Sequence, residues 1–184
     1  MVSRPTKEQL AAAKDLGLED VIAPGLRVLF CGINPGLYSA ATGWHFARPG
    51  NRFWPALYGG GFTPRLFHPS EQQLLPGLGL GITNVVARTT ARADELTNEE
   101  LRAGGRLLAE KVAELRPQRL AIVGITAYRT AFGVSKAKIG PQDDPIGGTP
   151  VWLLPSPSGL NAHWTPTSLA QEFTRLHAAT YHSE

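Results

Sequence analysis

One cysteine, Cys31, is all the thiol chemistry that this chain has. That excludes a disulfide framework within it and any cysteine-ligated cluster. A reducing, cytoplasmic location is the expectation. Long apolar runs are missing too. None approaches the roughly 20 residues of a membrane helix, and the opening MVSRPTKEQL lacks the apolar core of a secretory signal. No histidine, cysteine or carboxylate spacing suits a metal ion, and no glycine loop suits a nucleotide cofactor. Neither a metal nor a cofactor is expected. There is no internal repeat and no low-complexity segment. Net charge is small: 18 Lys and Arg against 15 Asp and Glu leave +3, with a pI near 9.2. This permits a nucleic-acid partner without requiring one.

What is present is enough for one domain. The chain has 184 residues, 42% of them hydrophobic, which suits a full core. The central stretch is LRVLFCGINPG, residues 26–36. Its short apolar run reads as a strand buried on both faces, as in a parallel sheet. Its Gly-Ile-Asn-Pro-Gly turn suits the carboxyl edge of that sheet, where open α/β folds bind ligands. Asn34 is then a polar side chain on a rigid lip.

The remaining chain alternates. Residues 1–20 read as a helical extension, with helical composition from Lys7 to Leu16, and residues 21–184 as the domain proper. A long aromatic-rich loop follows the first turn. Asn51 caps a helix that runs through about Tyr58 and stops at Gly59-Gly60-Gly61. Leu80 to Val86 is a second strand. Thr97-Asn98-Glu99-Glu100 is a capping box that opens a helix ending before Pro117. Its Gly104-Gly105 pair costs about 1 kcal/mol per glycine against alanine, so something approaches that backbone closely. Arg119 to Gly124 is a third strand, Ile125 to Phe132 a short helix, Val151 to Leu154 a fourth strand. Thr165-Pro166 starts the last helix. The fold class expected is α/β: a three-layer α/β/α sandwich around a mostly parallel sheet.

In a parallel sheet three loops leave one edge together, carrying residues 34–46, 84–94 and 156–161. GINPG, TGWHFARPGNRFW, GITN, RAGGR and PSPSGLN together resemble the mismatch-specific uracil-DNA glycosylases, relatives of thymine-DNA glycosylase. The resemblance spans roughly Ile22 to Leu176. It implies a monomeric enzyme acting on double-stranded DNA that carries a mismatched or damaged pyrimidine.

Residue by residue, the resemblance makes Asn34 the group that positions the attacking water. Its amide orients water but is a weak proton acceptor, so slower catalysis than with an aspartate is implied. An Asx-turn role for Asn34 stands beside this. Phe46 matches the aromatic that stacks on the extruded base; a core phenylalanine is the alternative. Gly36 stands where stricter uracil enzymes carry a tyrosine, which implies tolerance of C5-substituted pyrimidines. Ile33, Ser39, Asn84 and Ser156 complete the base pocket. His45 either donates to the base or is an ordinary loop histidine. Leu160 matches the wedge that fills the vacated stack. Ser158, Gly159 and Asn161 accompany it toward the widowed guanine.

Two departures stand out. The family commonly has Asn where Ser156 stands, and a basic residue can occur where Ala162 stands. Asp94 is a candidate second catalytic residue from its loop and its chemistry: a carboxylate could accept the proton that Asn34 cannot. A solvated turn carboxylate is the other reading. Arg48, Arg52, Arg88, Arg92, Arg102 and Arg106 are candidates for phosphate contact. No lysine falls in the pocket motifs, so a Schiff-base step is not indicated. Two other functions remain open: a lesion-binding module that does not cut, and a nucleoside hydrolase, which would have no use for a wedge.

Overall fold

The computed structural model describes residues 3–182. Strand β1 (Val28–Gly32) lies at the centre, and every one of its residues is buried. Alternate side chains go to opposite faces, as a strand requires. Val28 and Phe30 join one apolar core; Leu29 and Cys31 join the other. Burial pushes the Cys31 thiol well above its ordinary pKa, so it stays protonated and unreactive.

The sheet order is β2-β1-β3-β5-β4. Strands β2 (Leu80–Asn84), β3 (Arg119–Val123) and β5 (Val151–Leu154) run parallel to β1 or to one another. The two-residue β4 (Gly140–Pro141) caps the edge antiparallel to β5. One face is covered by α3 (Phe53–Gly59) and α6 (Pro166–Tyr181). There Phe30, Phe53, Phe62 and Phe173 meet edge-on or stacked, at centroid distances of 5.4–6.1 Å. The other face is covered by α4 (Asn98–Leu115) and α5 (Ile125–Phe132), through Leu108, Val112 and Tyr128. The three-layer sandwich is therefore the architecture.

The glycine pair in α4 has a structural cause. A Cβ on Gly104 would stand 2.3 Å from the carbonyl oxygen of Val85, and one on Gly105 would stand 3.0 Å from that of Ala131. The helix is pressed onto the exit of β2 and onto α5, and only glycine allows that approach.

Several local expectations need correction; β2, for one, ends at Asn84 rather than Val86. Residues 37–42, expected as loop, form the short helix α2 (Leu37–Thr42), which is bounded by Gly36 and by the left-handed Gly43. A six-residue helix between glycines leaves too little periodicity to read. At α3, Arg52 rather than Asn51 is the capping position, although the Asn51 side-chain oxygen still accepts from the Phe53 N–H at 2.9 Å.

Helix α1 (Lys7–Ala12), shorter than expected, opens the N-terminal segment. The described part of this segment packs on the domain. Ala13 is buried, and Val21 exchanges backbone hydrogen bonds with Ile82 at 2.8 and 2.9 Å. Among the described residues no helix is long and apolar enough to cross a membrane.

Candidate active site

Because the four parallel strands share one direction, their carboxyl ends open on one side. A cavity of about 200 Å³ lies there. Drug-sized ligands usually occupy roughly 300–1,000 Å³, so this cavity suits a single heterocyclic ring. Ile33, Asn34 and Gly36 line it from the exit of β1, Asn84 from β2, Val123 from β3, and Ser156 and Ser158 from β5. Ser39, His45 and Phe46 close it from the segment after β1, and Leu18 from the N-terminal segment. Among the described residues no aspartate or glutamate lines it.

Asn34 is held by a defined pair of bonds. Its amide nitrogen donates to the Arg88 carbonyl and to the Thr90 hydroxyl, both at 2.8 Å. The Thr90 hydroxyl itself donates to the Arg92 carbonyl at 2.7 Å, so its oxygen is the acceptor toward Asn34. Both amide hydrogens are thereby committed, and the amide cannot be flipped without placing two acceptors together. The Asn34 carbonyl oxygen is left as a free acceptor at the cavity.

Arg88 in turn is fixed. Its guanidinium grips Glu100 at 2.7 and 3.1 Å and reaches Asp15 at 3.2 Å. The Arg88 guanidinium holds the Glu100 carboxyl down to about pKa 2, so this pair stays ionised where an ordinary glutamate would protonate. Arg88, considered above for phosphate contact, is an internal brace. Arg52 is another: it donates to the Trp164 carbonyl at 2.5 Å and to that of Asn161 at 3.4 Å.

Phe46 stacks on Phe53 with centroids 4.1 Å apart and planes 23° apart. Its backbone lies in the left-handed region, with φ +51°, a conformation that costs a non-glycine residue about 1–2 kcal/mol. The neighbouring His45 carries the constraint. It is 2% exposed; its N–H donates to the Gln72 side chain at 2.8 Å, and its carbonyl accepts from the Trp54 indole at 3.0 Å. Burial lowers the His45 pKa, so the ring is neutral at pH 7, and its Nε2 hydrogen goes to the Glu19 carbonyl at 2.7 Å. A ring with its only N–H committed has no hydrogen for a ligand. In this structure His45 lines the cavity while its ring holds the N-terminal segment through Glu19.

Asn84 sits beside Gly32 in the register of β1 and β2. A Cβ on Gly32 would stand 2.6 Å from the Asn84 side-chain oxygen and 3.2 Å from the Phe46 ring. Gly32 thus lets a carboxamide and an aromatic ring meet across the strand end. The Ser39 oxygen accepts from the Ala47 N–H at 3.1 Å, which leaves its hydroxyl hydrogen available. A Cβ on Gly36 would have nothing within 4 Å, so the wall is open there.

The loop after β5 folds on itself. The Ser158 hydroxyl accepts from Leu160 N–H at 3.2 Å. The Asn161 amide donates to the Ser156 carbonyl and accepts from His163 N–H, each at 3.2 Å. Asn161 therefore shapes its own loop rather than offering its side chain outward. Gly159 lies so close to Gly50 that a Cβ would stand 2.6 Å from the Gly50 carbonyl oxygen. Leu160 is left 78% exposed at the tip.

Asp94 is the expected residue that the structure leaves out. It lies in a single turn of 3-10 helix whose neighbour Ala93 lines the cavity. Its own carboxylate, 73% exposed, pairs with Arg92 at 3.1 Å. A residue that sequence reasoning missed is Leu18. Nothing local signals it, because its place depends on pairing with residues far along the chain.

Comparison with known proteins agrees with this fold. The chain is similar over most of its length to the solution NMR structure of a candidate uracil DNA glycosylase from Methanosarcina acetivorans. The match has a TM-score of 0.59 at 17% identity and covers 89% of this chain and 98% of that one. At that identity the likeness speaks for the fold. Residues 19–177 match the family model described as the Uracil DNA glycosylase superfamily. The chain belongs to the uracil DNA glycosylase superfamily.

Proposed function

We propose that this protein is a monofunctional DNA glycosylase of the mismatch-specific kind. It hydrolyses the bond between deoxyribose and uracil, favours G·U pairs in duplex DNA, and leaves an abasic site for base excision repair. The observation that carries the reading is the pinned amide of Asn34, its carbonyl oxygen free beside a ring-sized cavity with an aromatic wall.

The chemistry follows from the parts. An extruded uracil stacks on Phe46, a contact worth about 1–3 kcal/mol. The base edge offers an acceptor, a donor and a second acceptor, and the Asn84 carboxamide can meet two of these. The bond from C1′ to N1 breaks with its electron pair going to the base. Charge therefore builds on the base oxygens, where the Ser39 hydroxyl and the Asn84 N–H donate. Asn34 accepts one hydrogen of a water and aims its oxygen at C1′. That oxygen bonds to C1′, and the water's proton leaves to solvent or to the base. Leu160 fills the gap in the stack, which offsets part of the extrusion cost of a few kcal/mol. The open wall at Gly36 leaves room for a C5 substituent.

The test is single-turnover base release from a duplex with one central G·U pair, beside A·U, G·T and single-stranded controls. Release from G·U ahead of A·U is the expected result. That no carboxylate among the described residues lines the cavity favours a second reading, a lesion-binding protein. Tight binding to G·U with no release would select it.

Asp94→Asn is expected to leave release within about fivefold of wild type, since an exposed ion pair carries at most about 1 kcal/mol. A larger loss in that variant would mean that the carboxylate leaves Arg92 and works in the cavity when DNA is bound.

A further inference from the structure

The segment ahead of β1 is tied down at many points. The Asp15 N–H donates to the Thr89 carbonyl at 3.0 Å, and the Thr89 N–H returns to the Leu16 carbonyl at 3.1 Å. The Thr89 hydroxyl donates to that same Leu16 carbonyl. The Asp20 carboxylate takes Lys111 at 2.5 Å and the Thr83 hydroxyl at 2.8 Å. Lys111 also donates to Thr83 at 3.0 Å, closing a three-member polar cluster.

These ties reach both sides of the site. Asp15 pairs with Arg88, whose carbonyl holds Asn34. The Glu19 carbonyl holds the His45 ring beside Phe46. Between these two anchors stands Leu18, half-buried, with its side chain at the cavity. Leu18 thus falls, in sequence, between the two residues whose contacts reach the site, and it lines the cavity itself.

We propose that residues 15–21 form a built wall of the base pocket, and that Leu18 is a specificity-determining residue that bounds the size of the base accepted. The proposal rests on the glycosylase reading and extends it. Gly36 opens the wall toward larger pyrimidines, and Leu18, supplied by a separate segment, limits how far. The substrate class that follows is uracil bearing a small C5 substituent, with bulkier ones turned away.

The experiment compares wild type, Leu18→Ala and Leu18→Phe. Single-turnover release is measured from duplexes with guanine opposite uracil and opposite 5-hydroxymethyluracil. A hydrophobic wall discriminates by about tenfold or more per carbon removed or added. Leu18→Ala should raise the rate ratio of 5-hydroxymethyluracil to uracil by at least about tenfold, and Leu18→Phe should lower it by a similar factor. Melting temperatures are taken for all three, so that loss of folding is seen separately. Equal slowing of both substrates in both variants would mean a merely structural strap and would overturn the proposal. If wild type releases no base at all, the glycosylase reading falls. The ratio of dissociation constants for the same two duplexes then decides on Leu18, with an unchanged ratio sinking it.

Discussion

Asn34→Ala is expected to lower single-turnover uracil release by roughly 10²–10³-fold, the usual consequence of removing one preorganised polar group from a reaction centre. The loss should fall on the chemical step. Phe46, Asn84 and Leu160 remain in place, so affinity for a G·U duplex should change only a few-fold. Some stability goes too, because Arg88 and Thr90 lose the amide that they accept from. An unmade hydrogen bond in a part-buried site costs about 1–3 kcal/mol. For a chain of this length that corresponds to about 2–4 °C of melting temperature per kcal/mol. A variant that melts a few degrees low, binds normally and scarcely cuts is the expected pattern. Full activity in Asn34→Ala would show that the water is held elsewhere.

The second large effect lies at a distance from the cavity. Gly104→Ala puts a methyl group 2.3 Å from the Val85 carbonyl oxygen and 3.0 Å from its carbon. Both are backbone atoms at the exit of a buried strand and cannot turn aside. Overpacking of this kind costs about 1–3 kcal/mol, sometimes more. The alanine returns no more than about 1 kcal/mol of helix propensity. Because both neighbours are backbone atoms the cost falls at the upper end, so a net loss of up to about 2 kcal/mol, or roughly 4–8 °C, is expected by thermal melting. Gly77→Ala is the control: it meets nothing within 4 Å and should stay within about 0.5 kcal/mol of wild type. Val85 follows Asn84 directly, and its N–H bonds to the Gly32 carbonyl at 2.9 Å. Activity on G·U should therefore fall with stability in Gly104→Ala. An alanine variant as stable as the parent would show that α4 can back away from β2.

The sheet and most helices were legible in the sequence, because their signals are local. The apolar run before Asn34, the capping box at Thr97 and the glycine pair in α4 each carry their own physical reason. The cavity was legible as a set of strand ends, since a parallel sheet brings Asn34, Asn84 and Ser156 to one edge. What was not legible was direction. Asp94 lies in the expected loop, but its carboxylate turns to Arg92, two residues away. His45 lies beside the stacking ring, but a carbonyl from the N-terminal segment takes its hydrogen. Arg88 reads as a candidate for phosphate contact, but its guanidinium is taken up by Glu100 and Asp15. Each of these outcomes depends on a partner distant in sequence or on a rotamer, and neither leaves a periodic trace.

The loop that carries Leu160 is fastened to the lip of the cavity. Gly159 lies against Gly50, the Arg52 N–H donates to the Pro157 carbonyl at 2.8 Å, and the Arg52 side chain grips the far end of the same loop at Trp164. Arg48 and Asn51, on that strip, line the cavity itself. Leu160 and the rim of the cavity are therefore joined through one strip of chain. On the proposed reading, in which Leu160 enters the stack, pressure on it would reach the mouth of the cavity through this strip rather than through the sheet. A scanning molecule would test the strength of each base pair and the readiness of its own pocket in a single movement. Weak pairs would be sampled more often than strong ones, before any base is read.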